Sequence, residues 1–334
     1  MPLQDARKLY DESLVIDGLN VSNWDSPAVY ESLSLGGVTA INATIATWEG
    51  FAETLDNISA WSLRFKERSD SITLVETADD ILEAKRSGRT GIILGWQNAT
   101  PIENDLDRLG LFHRLGVRIV QVTYHERNLL GNGCYERRDD GLSHFGADAV
   151  AEMNRLGILV DLSHVGEKTT LDAIETSRKP VAFTHANARS YHDVVRNKTD
   201  EALRALADRG GVVGVTCIVT FLRTGYESTV DDYAEAIDDM VGRVGIDHVG
   251  IGTDYTQDQP ESFWRYIGSQ QGTKYPSTFD DGTARYQDRQ LYPQGLETPD
   301  KLPNLTAALA RRGRGSAEIE KILGGNWLRL LRDV

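Results

Sequence analysis

The sequence is poor in cysteine, since its 334 residues include only Cys134 and Cys217, and neither lies in a C-x-x-C pair. Two distant cysteines cannot build a disulfide framework, which excludes the small stapled folds of many secreted proteins. The sequence also lacks any run of 18 or more apolar residues, so we expect no membrane-spanning helix. Its first residues have no basic stretch followed by an apolar one, so we expect no signal peptide. These absences predict a cytoplasmic protein with no membrane partner.

Positive charge is in deficit as well. Lys and Arg number 36 against 50 Asp and Glu, which gives a formal net charge of −14 and a pI near 5.0. Nucleic acids and anionic membranes bind to cationic faces, so neither is expected to be the main partner. A local basic pocket for a small anion remains compatible with this charge. The expected partner is therefore a small molecule.

What the sequence does contain is a regular alternation of strands and helices. Charged segments with helical spacing, such as 77–89 and 231–245, separate eight short β-branched runs, and Thr77 predicts a helix start. The runs are 14–18, 38–46, 91–96, 118–124, 157–164, 180–185, 211–217 and 249–254. They are apolar on both faces, as in a parallel sheet covered by helices. This order predicts an α/β fold, a (β/α)8 TIM barrel. An open doubly wound sheet is the alternative, but its GxGxxG loop after the first strand is missing.

One segment departs from this alternation. Residues 255–300 are rich in Gln, Asp, Tyr, Gly and Pro and follow the last predicted strand, where long loops of barrels cover active sites. A helical tail is predicted over 303–333. We therefore predict one barrel domain over 1–334, with a lid-like insertion at 255–300 and no internal repeat.

Chemistry in a (β/α)8 barrel lies at the carboxyl ends of the strands. The fifth and sixth runs end in His164 and His185, and the eighth ends in Asp254. Two imidazoles and a carboxylate suit zinc or a similar ion, while hydrogen-bonded core residues are the alternative interpretation. Arg196 follows in a loop, where a guanidinium suits capture of a substrate carboxylate; a surface ion pair is the alternative.

These residues belong to longer matching stretches. The chain resembles the renal or membrane dipeptidase family of metallopeptidases, which have the amidohydrolase-type barrel. The matching stretches are GLSHFGADAVAEMNRLGILVDLSHV (141–165), PVAFTHANARS (180–190), RNKTDEAL (196–203), VGIGTD (249–254) and GGNWLRLL (324–331). The resemblance implies that His164 and His185 bind one zinc, that Arg196 grips the substrate carboxylate, and that Asp254 is a metal ligand and the catalytic acid or base. It also implies a homodimer.

The family binds two metal ions, and this chain departs from it at the site of the second ion. The family's His and Asp ligands after the first strand fall on Leu19 and Val21, and its metal-bridging Glu falls on Gln97, which becomes a substrate-side residue here. A neutral amide offsets no repulsion between two dications. The family's substrate-facing His falls on Tyr124, with His125 one place along; successive strand residues alternate, so only one is expected to face the pocket.

We therefore predict a dipeptidase-like hydrolase with one divalent metal, zinc, on His164, His185 and Asp254. It would cleave a dipeptide or another small amide that carries a carboxylate. The first alternative is a metal-free relative that binds a carboxylate ligand without hydrolysing it. The second is a lyase or isomerase with Tyr124 or His125 as proton donor, in a pocket shaped by Trp24, Trp48 and Trp96.

Overall fold

The computed structural model describes residues 3–269 and 291–334. The strands of this part of the chain are β1 (Ile16–Asn20), β2 (Ala40–Ala46), β3 (Ile72–Leu74), β4 (Thr90–Trp96), β5 (Val117–Gln121), β6 (Leu159–Asp161), β7 (Ala182–Phe183), β8 (Val212–Val215) and β9 (Val249–Ile251). All of them pair in parallel, in the order β2-β1-β9-β8-β7-β6-β5-β4-β3. A further pairing of β2 with β4 closes eight of them into a barrel. The predicted (β/α)8 barrel is thereby confirmed.

Helices surround the barrel. They are α1 (Leu3–Glu12), α2 (Pro27–Leu35), α3 (Phe51–Glu67), α4 (Ala78–Ser87), α5 (Asp107–Arg114), α6 (His144–Leu156), α7 (Glu167–Thr176), α8 (Asp200–Asp208), α9 (Val230–Val244), α10 (Glu261–Ile267), α11 (Pro303–Arg311), α12 (Ser316–Glu320) and α13 (Asn326–Asp333). None of these helices combines the length and the apolar character needed to span a membrane.

Local sequence accounts for several of these bounds. The Thr77 hydroxyl accepts from the Asp80 amide, and the Asp80 carboxylate accepts from the Thr77 amide, so the predicted start of α4 is a capping box. Gly88 ends the same helix with a left-handed φ of 70°, which glycine adopts without a steric penalty. Every residue of β4 is buried, as expected for a strand covered on both faces.

The C-terminal helix packs into the barrel through one aromatic side chain. The Trp327 indole donates its N–H to the Ile251 carbonyl oxygen at 2.9 Å. A Cβ on Gly18 would lie 2.6 Å from the Trp327 ring, and one on Gly250 would overlap the same ring. Glycine at these strand positions therefore leaves the space that the indole fills.

The insertion predicted at 255–300 is only partly described, because residues 270–290 lie outside the described residues. Before them, α10 follows β9, and after them Gln294 forms a parallel bridge with Thr229. The predicted helical tail is present as α11, α12 and α13. Neither cysteine forms a disulfide, in agreement with the sequence.

Candidate active site

Two histidines meet at the carboxyl ends of β6 and β7. His164 follows β6 by three residues and His185 follows β7 by two, and both side chains are buried. Their Nε2 atoms lie 2.7 Å apart, which is a hydrogen-bond distance. Burial, with the Arg196 cation as the second cause, holds the pKa of each imidazole well below its usual value. Both rings are therefore neutral, and one of them donates to the other.

The direction of this hydrogen bond follows from the groups behind it. The buried Asp161 carboxylate accepts from the Thr184 hydroxyl at 2.6 Å and from the Ser163 hydroxyl at 2.6 Å. With its proton used there, Thr184 Oγ1 accepts from His185 Nδ1 at 2.9 Å. His185 therefore carries its proton on Nδ1, and its Nε2 accepts from the Nε2–H of His164.

Arg196 completes the same chain of hydrogen bonds. Its side chain is 1% exposed, so the alternative of a surface ion pair is wrong. Its Nε donates to His164 Nδ1 at 3.1 Å, which agrees with a His164 proton on Nε2. Nη1 donates to the Ser163 carbonyl and Nη2 to the His185 carbonyl, each at 2.7 Å. Three of its five N–H groups thus hold the two strand ends together.

Asp254 follows β9 and has a left-handed backbone, with a φ of 60°. Its amide donates to the Leu19 carbonyl at 3.0 Å, and its carbonyl accepts from the Tyr292 hydroxyl at 3.0 Å. Burial raises the pKa of the Asp254 carboxyl to about 7, although the Arg196 cation opposes the shift. The predicted ligand set of His164, His185 and Asp254 does not form a compact triad, since it is absent from the groups of three ligand atoms found within 4.8 Å among the described residues.

Tyr124 and His125 both face the site, so the expectation that only one would do so is wrong. β5 ends at Gln121, which places both residues in the following loop, where strand alternation no longer applies. His125 has a left-handed φ of 55°. The ring centroids of Tyr124 and His125 lie 4.2 Å and 4.5 Å from that of His164. Trp48 stands edge-on to Tyr124, with 5.1 Å between their centroids.

The positions of the family's other metal offer no ligand set. Leu19 and Val21 are buried and apolar. Gln97 is buried too; its Nε2 donates to Thr44 Oγ1 at 3.1 Å, while its Oε1 finds no partner among the described residues. These residues do not fit a divalent ion. A buried unpartnered amide oxygen instead suits a hydrogen-bond donor from a ligand.

A cavity of about 220 Å³ is lined by Val21 and by Thr44, the residue whose hydroxyl accepts from Gln97 Nε2. Trp24 and Trp61 line it as well, with their ring centroids 5.2 Å apart. Trp96, by contrast, packs edge-on against Phe112 of α5 at 4.7 Å, between barrel and helix. Of the three tryptophans considered from the sequence, Trp24 lines this cavity, Trp48 packs on Tyr124, and Trp96 packs between barrel and helix.

Sequence reasoning missed two residues near the site. Cys134 Sγ lies 3.9 Å from His125 Nδ1, and burial raises the pKa of its thiol. Lys198 is buried behind the β6–α7 loop and donates from Nζ to the Val165 carbonyl at 2.8 Å. The one signal for Cys134 was its place nine residues after a histidine, and Lys198 was visible only as part of the RNKTDEAL stretch.

Comparisons with known proteins bear on the family and the fold of this chain. The sequence profile of the membrane dipeptidase family (peptidase family M19) matches residues 4–264 and 282–334. Dipeptidase tcpJ of Claviceps purpurea is 33% identical over 269 residues, which cover 80% of this chain. The chain spans 56% of that curated relative's length. A solved amidohydrolase from Pseudomonas aeruginosa is 42% identical with a TM-score of 0.93, and 98% of each chain is covered. A Rhodobacter sphaeroides metallo peptidase, 22% identical with a TM-score of 0.80 over 96% of this chain and 99% of that one, shares the fold.

Proposed function

The chain belongs to the membrane dipeptidase family, and on this premise we propose that it hydrolyses a small amide substrate that carries a carboxylate, such as a dipeptide. The observation that carries the proposal is the buried Arg196. Among the described residues it has no ion-pair partner within 4.0 Å, although it is 1% exposed. A buried cation without a counter-charge is costly, and a substrate carboxylate would neutralise it. Two N–H groups of the guanidinium remain for that contact.

We propose a single divalent ion, zinc, in place of the family's two. Leu19, Val21 and Gln97 do not fit the family's second ion, whereas imidazoles remain around His164. When bound, such an ion acts as a Lewis acid and lowers the pKa of water. The resemblance implies that His164 and His185 hold it together. Two nitrogens on one tetrahedral zinc stand about 3.3 Å apart, so the 2.7 Å hydrogen bond between these rings would have to open.

The remaining residues receive roles from their positions. Arg196 binds the substrate carboxylate and orients it between the ends of β6 and β7. Gln97 Oε1 accepts from a substrate N–H, since it finds no partner among the described residues. The Tyr124 ring covers His164 and limits the access of water. Asp254 takes or returns a proton at its carboxylate, in the role that the family resemblance implies.

The experiment is an assay of dipeptide hydrolysis with Zn²⁺, Mn²⁺ or Fe²⁺ added to metal-depleted protein. We expect dipeptides to be cleaved and their C-terminal amides, which lack the carboxylate, to be poor substrates. Arg196→Lys should raise KM by roughly 10- to 100-fold, as expected for loss of a charged bidentate hydrogen bond. Arg223→Lys is the matched control, because Arg223 is half exposed and pairs with Glu235.

Two results would contradict this function. One is the absence of hydrolysis for every dipeptide with every metal; the other is equal cleavage of dipeptides and of their C-terminal amides.

A specific observation also favours a second candidate, a metal-free carboxylate-binding protein. The hydrogen bonds from Arg196 through His164, His185 and Thr184 to Asp161 are complete without a metal. Under that alternative, a dipeptide would raise the melting temperature while EDTA would leave it unchanged.

A further inference from the structure

Three side chains with metal-binding atoms meet on the far side of His164 from His185. His125, Cys134 and His164 form the one group of three His, Cys, Asp or Glu residues, within the described ranges, whose ligand atoms all lie within 4.8 Å of one another. His125 Nδ1 lies 3.2 Å from His164 Nδ1 and 3.9 Å from Cys134 Sγ. We call this group the His125–Cys134–His164 cluster. The family resemblance assigns no metal to Cys134 or His125.

Backbone contacts fix the cluster in place. The Cys134 amide donates to the His164 carbonyl at 2.8 Å, and Gly133 forms an antiparallel bridge with Val165. A Cβ on Gly133 would overlap the His125 carbonyl carbon, so this close approach requires glycine. His125 has a left-handed φ of 55°, and its ring centroid lies 4.5 Å from that of His164. The thiol and both imidazoles are therefore held by main-chain geometry, which limits the reorganisation that metal binding would need.

Two of the three ligand-atom distances in the cluster resemble those of a zinc chelate. At ordinary bond lengths, two nitrogens on a tetrahedral zinc stand about 3.3 Å apart, and a nitrogen and a sulfur about 3.6 Å apart. The observed 3.2 Å and 3.9 Å are close to these values. The 2.7 Å between the Nε2 atoms of His164 and His185 is shorter and matches a hydrogen bond. The cluster therefore fits one ion with less rearrangement than the histidine pair does.

The hydrogen bonds behind His164 also suit a metal on its Nδ1. Metal-bound histidines donate their other ring N–H to a fixed acceptor, which sets the tautomer and the ring orientation. His164 donates from Nε2 to His185 Nε2, and His185 is itself oriented through Thr184 by Asp161. The histidine pair then acts as one ligand and its support. A neutral imidazole binds one ion through one nitrogen, so the two arrangements are alternatives for a single ion.

One contact competes with the ion. Arg196 Nε donates to His164 Nδ1 at 3.1 Å, and this bond must be given up when a metal binds there. The guanidinium keeps its two bonds to the Ser163 and His185 carbonyls. Metal binding also removes the Cys134 thiol proton to solvent, and the resulting thiolate offsets part of the added positive charge. Thiolate and imidazole ligands select zinc or cobalt over magnesium or calcium.

We propose that His125 Nδ1, Cys134 Sγ and His164 Nδ1 bind one divalent ion of the zinc class. Three protein ligands are the number found in catalytic zinc sites, in which a fourth position stays open. The proposal names the ligands of the ion in the proposed function, and its test reads metal binding without an assay of hydrolysis. Its failure would therefore leave the dipeptidase proposal to its own assay.

The test is a titration of metal-depleted full-length protein with Co²⁺, followed by absorption spectroscopy. We expect one Co²⁺ per chain and a thiolate-to-cobalt charge-transfer band in the near ultraviolet. Cys217→Ala is the matched control and should keep the band, because Cys217 is buried elsewhere with its thiol on the Thr253 carbonyl. Since the chain has only two cysteines, a band in this variant must come from Cys134.

Cys134→Ala should lose the band and weaken Co²⁺ binding by more than the roughly 10- to 100-fold that an outer-shell change costs. His185→Gln should keep the band. Three results would overturn the proposal: no Co²⁺ binding by the unaltered protein, binding without a thiolate band, or loss of binding in His185→Gln but not in Cys134→Ala. If Cys134→Ala fails to fold, the Cys217→Ala spectrum still decides between a thiolate ligand and none.

Discussion

Lys198 offers a prediction whose size can be worked from its surroundings. Its side chain is 3% exposed. Its ammonium group donates to the Val165 carbonyl at 2.8 Å and to Thr170 Oγ1 at 3.3 Å, and it lies 4.9 Å from the centre of the Phe183 ring. Burial lowers the pKa of Lys198 from 10.5 to about 7, and the Arg196 cation acts in the same direction. We predict that this lysine makes the stability of the fold depend on pH.

The direction in which stability changes with pH follows from how many protons Lys198 binds in the folded and in the unfolded state. Between about pH 7 and pH 10.5 the unfolded chain holds a proton on Lys198 that the folded chain has released, so stability rises with pH in this window. The opposing charges do not remove the shift, since Cys134, Glu167 and Asp161 each raise the pKa and the net change is still downward. A shift from 10.5 to about 7 corresponds to about 5 kcal/mol over the whole window.

The perturbation is Lys198→Met, which keeps the length of the side chain and removes the titration. We expect urea denaturation to show the unaltered protein gaining about 2 kcal/mol on the variant between about pH 7 and pH 9. Lys179→Met is the control: that lysine is exposed and donates to the Asp333 carbonyl. Its substitution removes an exposed amine and leaves the buried Lys198 in place, so the rise in stability with pH that Lys198 causes should remain.

A stability difference between the protein and Lys198→Met that stays constant from about pH 7 to pH 10 would refute this reasoning. It would mean that the ammonium keeps its charge in the folded state. The Phe183 ring and the carbonyl of Val165 would then compensate the lost hydration fully, and the depressed pKa would be wrong.

Two further predictions concern the supports of the site. Thr184→Val removes the hydroxyl between a buried carboxylate and an imidazole, so the free energy of unfolding should fall by about 2–4 kcal/mol; Thr306→Val, whose buried hydroxyl has no partner among the described residues, should be neutral in the same thermal melts. Gly133→Ala should destabilise the protein by at least about 2 kcal/mol through backbone overlap, whereas Gly242→Ala in α9 meets nothing within 4 Å and should stabilise it by up to about 1 kcal/mol. Equal melting temperatures for Thr184→Val and Thr306→Val would contradict the role of the Thr184 hydroxyl. Equal melting temperatures for Gly133→Ala and Gly242→Ala would contradict the close backbone approach at Gly133.

The barrel could be predicted because its strands are marked by local composition. Each of the eight predicted runs overlaps a barrel strand. β3 (Ile72–Leu74) was not predicted, because three residues are too few to form a recognisable run. It pairs with β4 at the edge of the sheet. Some runs also extend beyond the paired strand residues. The run 157–164 contains β6 (Leu159–Asp161), and its last residues, which include His164, lie after the strand.

Part of the site could be predicted for the same reason, and part could not. His164 and His185 follow their strands within three residues, so predicting that they meet required only the order of strands in a closed barrel. Cys134 lies in the long loop between β5 and α6, and its place depends on a glycine contact and on a left-handed histidine. Such a loop has no periodicity to read, because its conformation is fixed by contacts with distant residues.

Two residues of the site have an uncommon backbone conformation. Among the described residues, four that are not glycine have a left-handed φ, namely Glu103, His125, Asp254 and Asp258. A left-handed conformation costs a residue with a side chain roughly 1–2 kcal/mol. His125 and Asp254 keep it because the His125 carbonyl accepts from the Tyr135 amide and the Asp254 amide donates to the Leu19 carbonyl. Strain of this kind concentrates where a side chain must be aimed at a site. Glu103 and Asp258 have the same conformation outside the site, so the strain gains meaning at His125 only together with its ring, whose centroid lies 4.5 Å from that of His164.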